Sequence, residues 1–301
     1  MRVMVTGGAG FIGSHLVDAL LARGDEVHVV DSLATGSRDN LGEGATLHEL
    51  DIRDDGLGEI AARVRPEVVF HLAAQADVGT SVERPAFDAD VNVIGTVRVL
   101  EGARVARARV VFTSTGGAIY GECDRPAREE DELQPLSPYG TSKLAGEEYL
   151  ATWNRLYGAG HVACRLANVY GPRQLSKLEG GVIAIFLDRL RDGQETVIFG
   201  DGKQTRDFVY VGDVVAGLLA ASASPGGGVY NLGTGIAVDI REVHRLCAQV
   251  AGAEQEPQFG PARSGDLQNS VVDPSRAAHV LDWRADRTLA AGLAETWSAV
   301  R

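Results

Sequence analysis

Short apolar runs alternate with longer amphipathic stretches through the first half of the chain. Residues 2–5 and 26–30 read as strands around a helical pattern over 11–22. Residues 46–50 and 67–71 read as further strands, with a helix near 57–64 between them. A long helix is predicted over 87–107, a buried strand over 110–114, a second long helix over 138–157 and a strand over 161–166. Strands and helices alternating at this spacing imply a parallel sheet with helices on both faces. After about Asn168 the texture changes. Glycine-rich loops surround short helices, over 181–191, 213–221, 240–250 and 289–300, and short strands over 196–199 and 208–211. Residues 222–228 read as a surface turn. The expected fold class is α/β: a doubly wound parallel sheet built mainly from residues 1–167, to which parts of the later chain return. Residues 168–301 are expected to form a smaller α/β lobe that holds the substrate.

Composition narrows the partners more than the fold. Apolar residues make up 45% of the 301 residues, enough for a large core without disulfides. Cys123, Cys164 and Cys247 are far apart and lack metal-ligand spacing, so they read as reduced thiols in a cytoplasmic protein. The net charge of −12 argues against a nucleic-acid partner, which calls for basic stripes. No apolar run approaches the ~20 residues of a membrane span. The N-terminus enters a strand at once, without the layout of a signal peptide. The seven histidines show no H-x-x-x-H pair, and no metal is expected.

Two motifs carry the chemistry. The first strand runs into Thr6-Gly-Gly-Ala-Gly-Phe-Ile-Gly13, and a helix follows. Gly7, Gly10 and Gly13 permit a tight turn, close backbone approach to a pyrophosphate and close helix–sheet packing, the fingerprint of a Rossmann dinucleotide site. The phosphates would sit over the helix N-terminus, whose free N–H groups favour anions. Asp31 closes the second strand, where a carboxylate accepts from both ribose hydroxyls and repels a 2′-phosphate. This favours NAD over NADP. The second motif is Tyr139-Gly-Thr-Ser-Lys143. On a helix the tyrosine and lysine share one face. The ammonium favours phenolate over phenol, which makes a general acid/base for a sugar or alcohol hydroxyl.

With these motifs, the chain resembles the extended short-chain dehydrogenase/reductase family, and within it the nucleotide-sugar 4-epimerases of UDP-glucose 4-epimerase type. Further blocks carry the likeness: Asp51-Ile-Arg53, His71-Leu-Ala-Ala-Gln75, Asn92, residues 111–121, 165–171, Thr205-Arg-Asp207 and Arg263-Ser-Gly-Asp266. The resemblance implies that Asp51 and Ile52 hold the adenine. Phe11 and Ile12 would lie in the phosphate loop. Leu72, Ala73 and Ala74 would line the cofactor, followed by Gln75, with Asn92 as a buried polar support. Lys143 would also bond the nicotinamide ribose. Asn168 would touch the diphosphate region, and Val197, Ile198 and Phe199 would back the base. Arg206 and Arg263 would clamp the diphosphate, and Asp266 would bind the nucleotide ribose. The family forms homodimers through a helix pair equivalent to 87–107 and 138–157.

The segment Thr113-Ser-Thr-Gly-Gly-Ala-Ile-Tyr-Gly121 separates branches of the family. The 4,6-dehydratases carry an acidic pair where this chain has Gly117 and Ala118, and uronate decarboxylases carry a glutamate at the second position. Epimerases need neither. They do usually carry Ser or Thr where this chain has Gly116, so Thr115, or Ser114, is the expected hydroxyl partner of the sugar 4-oxygen. The expected reaction is NAD-dependent 4-epimerisation of a UDP-sugar by reversible hydride transfer at C4. UDP-glucose/galactose is favoured and UDP-glucuronate/galacturonate is second, with Arg173 and Lys177 as candidate partners for a uronate carboxylate. Ser270, at the family's sugar-gating position, leaves room for an N-acetyl group. A sugar-nucleotide dehydrogenase would share every cofactor motif and differ in releasing NADH.

Overall fold

The computed structural model describes residues 1–176, 181–262 and 266–300. Its strands in chain order are β1 (Arg2–Thr6), β2 (Glu26–Asp31), β3 (Thr46–Glu49), β4 (Val68–His71), β5 (Arg109–Thr115), β6 (Val162–Leu166), β7 (Asn168–Tyr170), β8 (Val197–Phe199), β9 (Thr205–Arg206), β10 (Phe208–Tyr210), β11 (Gly228–Leu232), β12 (Val238–Asp239), β13 (Gln258–Gly260) and β14 (Asn269–Ser270). Seven of them form one parallel sheet in the order β11-β6-β5-β4-β1-β2-β3. The direction of winding reverses beside β1, where an open α/β sheet leaves a crevice for a ligand.

The pleat explains why these strands are so apolar. Val3 and Val5 enter the core on one face, with Leu16, Val17 and Leu20 of helix α1 (Phe11–Ala22). Met4, between them, points to the other face and joins Leu57, Ile60 and Ala61 of α2 (Gly56–Val64). Val111 and Val110/Phe112 of β5 divide the same way. A strand buried on both faces therefore reads as a continuous apolar run.

Two short helices, α3 (Val78–Glu83) and α4 (Pro85–Ala89), precede α5 (Gly95–Ala106). The single helix predicted over 87–107 is therefore interrupted: residues Asp90–Ile94 form a π-helical turn between α4 and α5. Thr96 Oγ1 donates to Asn92 O at 2.6 Å within this turn. Such back-bonding by a hydroxyl perturbs the regular ladder, and π turns of this kind often mark functional positions. Then follow α6 (Gly116–Ile119) and α7 (Pro138–Tyr157). Pro138 at the first helical position, Ser137 Oγ accepting from Gly140 N, and left-handed Gly158 after the last turn give α7 the bounds read from the sequence.

The later chain packs a second core. It joins Tyr170, Ile183 and Phe186 of α8 (Val182–Arg191), Ile198 and Phe208 to Ile240, Val243 and Cys247. Helix α9 (Val211–Ser222) lies on the main sheet with α1. The last three helices are α10 (Ile240–Ala251), α11 (Ser275–Val280) and α12 (Leu289–Val300). β8 pairs with β13, and β9 lies between β12 and β14. β11 was not foreseen as a strand, because the glycines before it read as a turn. No helix among the described residues is long and apolar enough to cross a membrane.

Candidate active site

The loop after β1 is shaped for close approach. Gly7 has φ +71, and a Cβ there would lie 2.6 Å from Ala73 N; a Cβ on Gly13 would lie 2.0 Å from Gly7 O. These contacts leave no room for a side chain, and the first turn of α1 has no side-chain cap. Its N–H groups face outward as an anion site. At the end of β2, Asp31 is held by Ala9 N at 2.9 Å and Leu33 N at 2.8 Å. Its remaining lone pairs are acceptors of the kind that ribose hydroxyls require. The cradle, the uncapped helix start and the carboxylate beside them fit a dinucleotide without a 2′-phosphate.

The remaining cofactor candidates lie along the same rim. Asp51 is hydrogen-bonded to Arg53, which holds its carboxyl below the usual range; Ile52 is buried against Gly95. Leu72, Ala73 and Ala74 lead off the end of β4. Gln75 closes this stretch with its side chain committed to Asp77 O and Asp88 Oδ1, and its backbone N–H to Asn92 Oδ1 at 2.8 Å. Its side-chain amide is therefore engaged within the protein. His71 is fully buried between Thr6 Oγ1 and Thr96 Oγ1. Burial, aided by the Lys143 charge, pushes it down to about 3, so it is neutral.

Tyr139 and Lys143 lie one turn apart on α7. Lys143 is only 4% exposed, and its Nζ donates to Thr113 O at 2.9 Å. The ammonium lies 4.9 Å from the Phe112 ring centroid and 6.0 Å from that of Tyr139. Burial pushes Lys143 down to about 8; Asp88 and then Glu147 oppose that shift. At neutral pH the lysine remains charged beside the tyrosine.

Thr115 ends β5 and is mostly buried. Its Oγ1 makes no hydrogen bond among the described residues and lies 3.9 Å from the position of a Cβ on Gly117, as does the Asn168 amide at 3.7 Å. Ser114 Oγ and Asn168 Nδ2 are both buried without a partner among those residues. The glycine at 116 has a steric reason: a Cβ there would lie 2.6 Å from Val272 Cγ1. Val272 fills the space a serine would need. Gly116→Ser is therefore expected to destabilise the fold by about 1–3 kcal/mol. The double change with Val272→Ala should recover part of that loss in a denaturant titration; additive losses would show that the two positions are not coupled.

A cleft of about 540 Å3 opens beside Tyr139, and Asn168, Val197, Phe199, Arg206 and Asp266 all line it. Val197 and Phe199 face the cleft while Ile198, between them, enters the second core. Arg206 is ion-paired with Asp266, and its Nη1 donates to Thr205 O. Arg173 is turned to Asp18 at 2.8 Å. Arg263 and Lys177 lie outside the described residues.

Three charged residues near the pair escaped the sequence reading. Glu147, one turn beyond Lys143, takes Arg165 Nε at 3.0 Å and Nη2 at 2.7 Å, with both side chains buried. Asp88, also buried, accepts from Gln75 and Asn92. The spacing K-x-x-x-E after Tyr139 was the only available signal, and it is common on solvated helices.

A family model described as the NAD dependent epimerase/dehydratase family matches residues 3–233. The chain is 48% identical to the UDP-glucose 4-epimerase of Mycolicibacterium smegmatis, over 98% of this chain and 97% of that protein. Its structure matches that of Thermotoga maritima UDP-glucose 4-epimerase with UDP-glucose at a TM-score of 0.96 and 43% identity, covering 100% of this chain and 99% of the other. The Thermus thermophilus UDP-glucose 4-epimerase complex with NAD gives a TM-score of 0.93 at 44% identity, covering 99% and 98%. A nucleotide cradle, a Tyr/Lys pair and this degree of likeness along the whole chain lead to one conclusion: the chain belongs to the NAD-dependent epimerase/dehydratase family, among the extended short-chain dehydrogenase/reductases, and its cofactor is NAD.

Proposed function

We propose that this enzyme is an isomerase that interconverts UDP-glucose and UDP-galactose at C4. The observation that carries the reading is Tyr139, with a buried ammonium one turn away, at the wall of a nucleotide-sized cleft beside the dinucleotide cradle. Bound NAD supplies a reversible hydride acceptor. Tyr139 Oη, as phenolate, takes the proton of the sugar 4-hydroxyl and later returns it to the 4-oxygen. Lys143 holds the phenolate by its charge and also bonds the nicotinamide ribose. Thr115 Oγ1 bonds the 4-oxygen, the role that Gly116 cannot fill. The segment 168–301 mainly serves the UDP-sugar. Val197 and Phe199 back the base, Asn168, Arg206 and Arg263 meet the diphosphate, and Asp266 meets the ribose. The rim residues from Gly7 to Gly13, with Asp31, Asp51, Ile52, Leu72, Ala73, Ala74 and Gln75, hold NAD.

Gly117 and Ala118 offer neither the acid nor the base that elimination of water would need. Arg173, a candidate for a uronate carboxylate, is engaged by Asp18, which favours a neutral sugar. Exposed apolar side chains support a homodimer through α5 and α7: Val105 on the first, Tyr149, Leu156 and Tyr157 on the second, with Trp153 in edge-on contact with both tyrosines. The reduced state of three separate cysteines suits the cytoplasm.

The test is incubation with UDP-glucose, UDP-glucuronate or UDP-N-acetylglucosamine, separately and without added oxidant, with products resolved by NMR. UDP-galactose formed from UDP-glucose without net NADH is the expected result. Turnover of only the uronate or the N-acetyl sugar would move the substrate assignment. A free 4-keto product or stoichiometric NADH would overturn the epimerase reading.

A further inference from the structure

Two buried carboxylates act on Lys143, and they are not equivalent. Glu147 is saturated: Arg165 bonds both of its oxygens, so its charge is already matched. Asp88, on α4, is 1% exposed and has no cation within ion-pair distance among the described residues. Its Oδ1 accepts from Gln75 Nε2 at 2.9 Å and Asn92 Nδ2 at 3.1 Å. Its Oδ2 is buried and meets no donor among those residues. A buried carboxylate in that state is costly unless a positive charge lies near. Lys143 supplies one through space, without a direct ion pair.

The same carboxylate is wired to the first turn of α7. Asn92 Nδ2 also donates to Ser142 Oγ at 3.1 Å, and Ser142 Oγ donates to Tyr139 O at 3.0 Å. Asn92 lies in the π turn over Asp90–Ile94, and its amide reaches Gln75 O, Asp88 Oδ1 and Ser142 Oγ together. The other groups around the ammonium are neutral or matched. His71 on β4 is uncharged, Phe112 on β5 presents its ring, and Glu147 is bound to Arg165 of β6. Tyr139 is the group the lysine serves.

We propose that Asp88 is the counter-charge of Lys143: a positioning residue that holds the ammonium and, through it, keeps Tyr139 competent as the base. The inference rests on the epimerase reading of Tyr139. Asp88→Asn removes the charge and keeps an oxygen for the Gln75 and Asn92 donors. Taking a negative charge away lowers both macroscopic ionisations of the Tyr139/Lys143 pair. Both limbs of the kcat–pH profile should therefore move to lower pH, by about one unit. A phenolate absorbance titration, with the Tyr139→Phe protein subtracted, should show the tyrosine step moving the same way. Unmoved limbs and an unmoved absorbance step, with only a lower melting temperature, would reduce Asp88 to a packing role and overturn the proposal. Asp88→Ser carries the same test if the Asn variant does not fold. If the wild-type protein turns over no UDP-sugar, the epimerase reading fails, and the absorbance titration still decides the role of Asp88.

Discussion

Tyr139→Phe is expected to lower kcat by about 10²–10⁴-fold, the range a positioned general acid/base supplies. The substitution removes one oxygen and keeps the ring. Lys143 retains its bond to Thr113 O and its contact with Phe112, so the cradle around Gly7 and Asp31 is unchanged. Bound NAD, measured by release on denaturation, should stay within twofold of the wild-type content (about 0.4 kcal/mol). The pattern of lost turnover with retained cofactor separates a missing base from a damaged site. A fall in kcat of less than tenfold would mean that another group moves the proton.

Glu147→Ala has the largest expected effect on stability. The pair with Arg165 is buried on both sides, and Arg165 Nη1 also bonds Tyr120 Oη and Glu129 O. Removing the carboxylate leaves a guanidinium in the interior without its counter-ion, which costs about 3–5 kcal/mol. Arg165→Met in the same protein removes the stranded charge, so the double variant should be more stable than Glu147→Ala alone. Equilibrium unfolding in urea measures both. A loss below about 1 kcal/mol would place the pair among weak surface bridges, against its burial.

The sheet was legible because a strand buried on both faces leaves an unbroken apolar run, as in Val3–Met4–Val5 and Val110–Val111–Phe112. The phosphate loop was legible because glycines at 7 and 13 answer a backbone demand that other residues cannot meet. The π turn was not: the pattern reads as one helix over 87–107, and the turn at Asp90–Ile94 carries local hydrogen bonding at Asn92 and Thr96 that a pattern does not show. Glu147 and Arg165 were hidden because a lone charge on a helix or strand reads as solvated until its partner is found. Gly116 was recognised as a departure, but its reason, Val272, lies on a different segment that only the fold brings near. Arg206 and Asp266 were each assigned a ligand; their pairing with one another depends on how the cleft closes.

β11 has a consequence for how the chain is made. It pairs with β6 and completes the dinucleotide sheet, yet it is synthesised after the first elements of the second core. Until Gly228–Leu232 leaves the ribosome, the fully buried β6 is the sheet's outer edge, with unpaired backbone groups on an apolar strand. Such edges invite pairing with other chains. A nascent chain stopped before Gly228 should therefore aggregate more readily than one that extends past Leu232, as pelleting of the two released chains would measure.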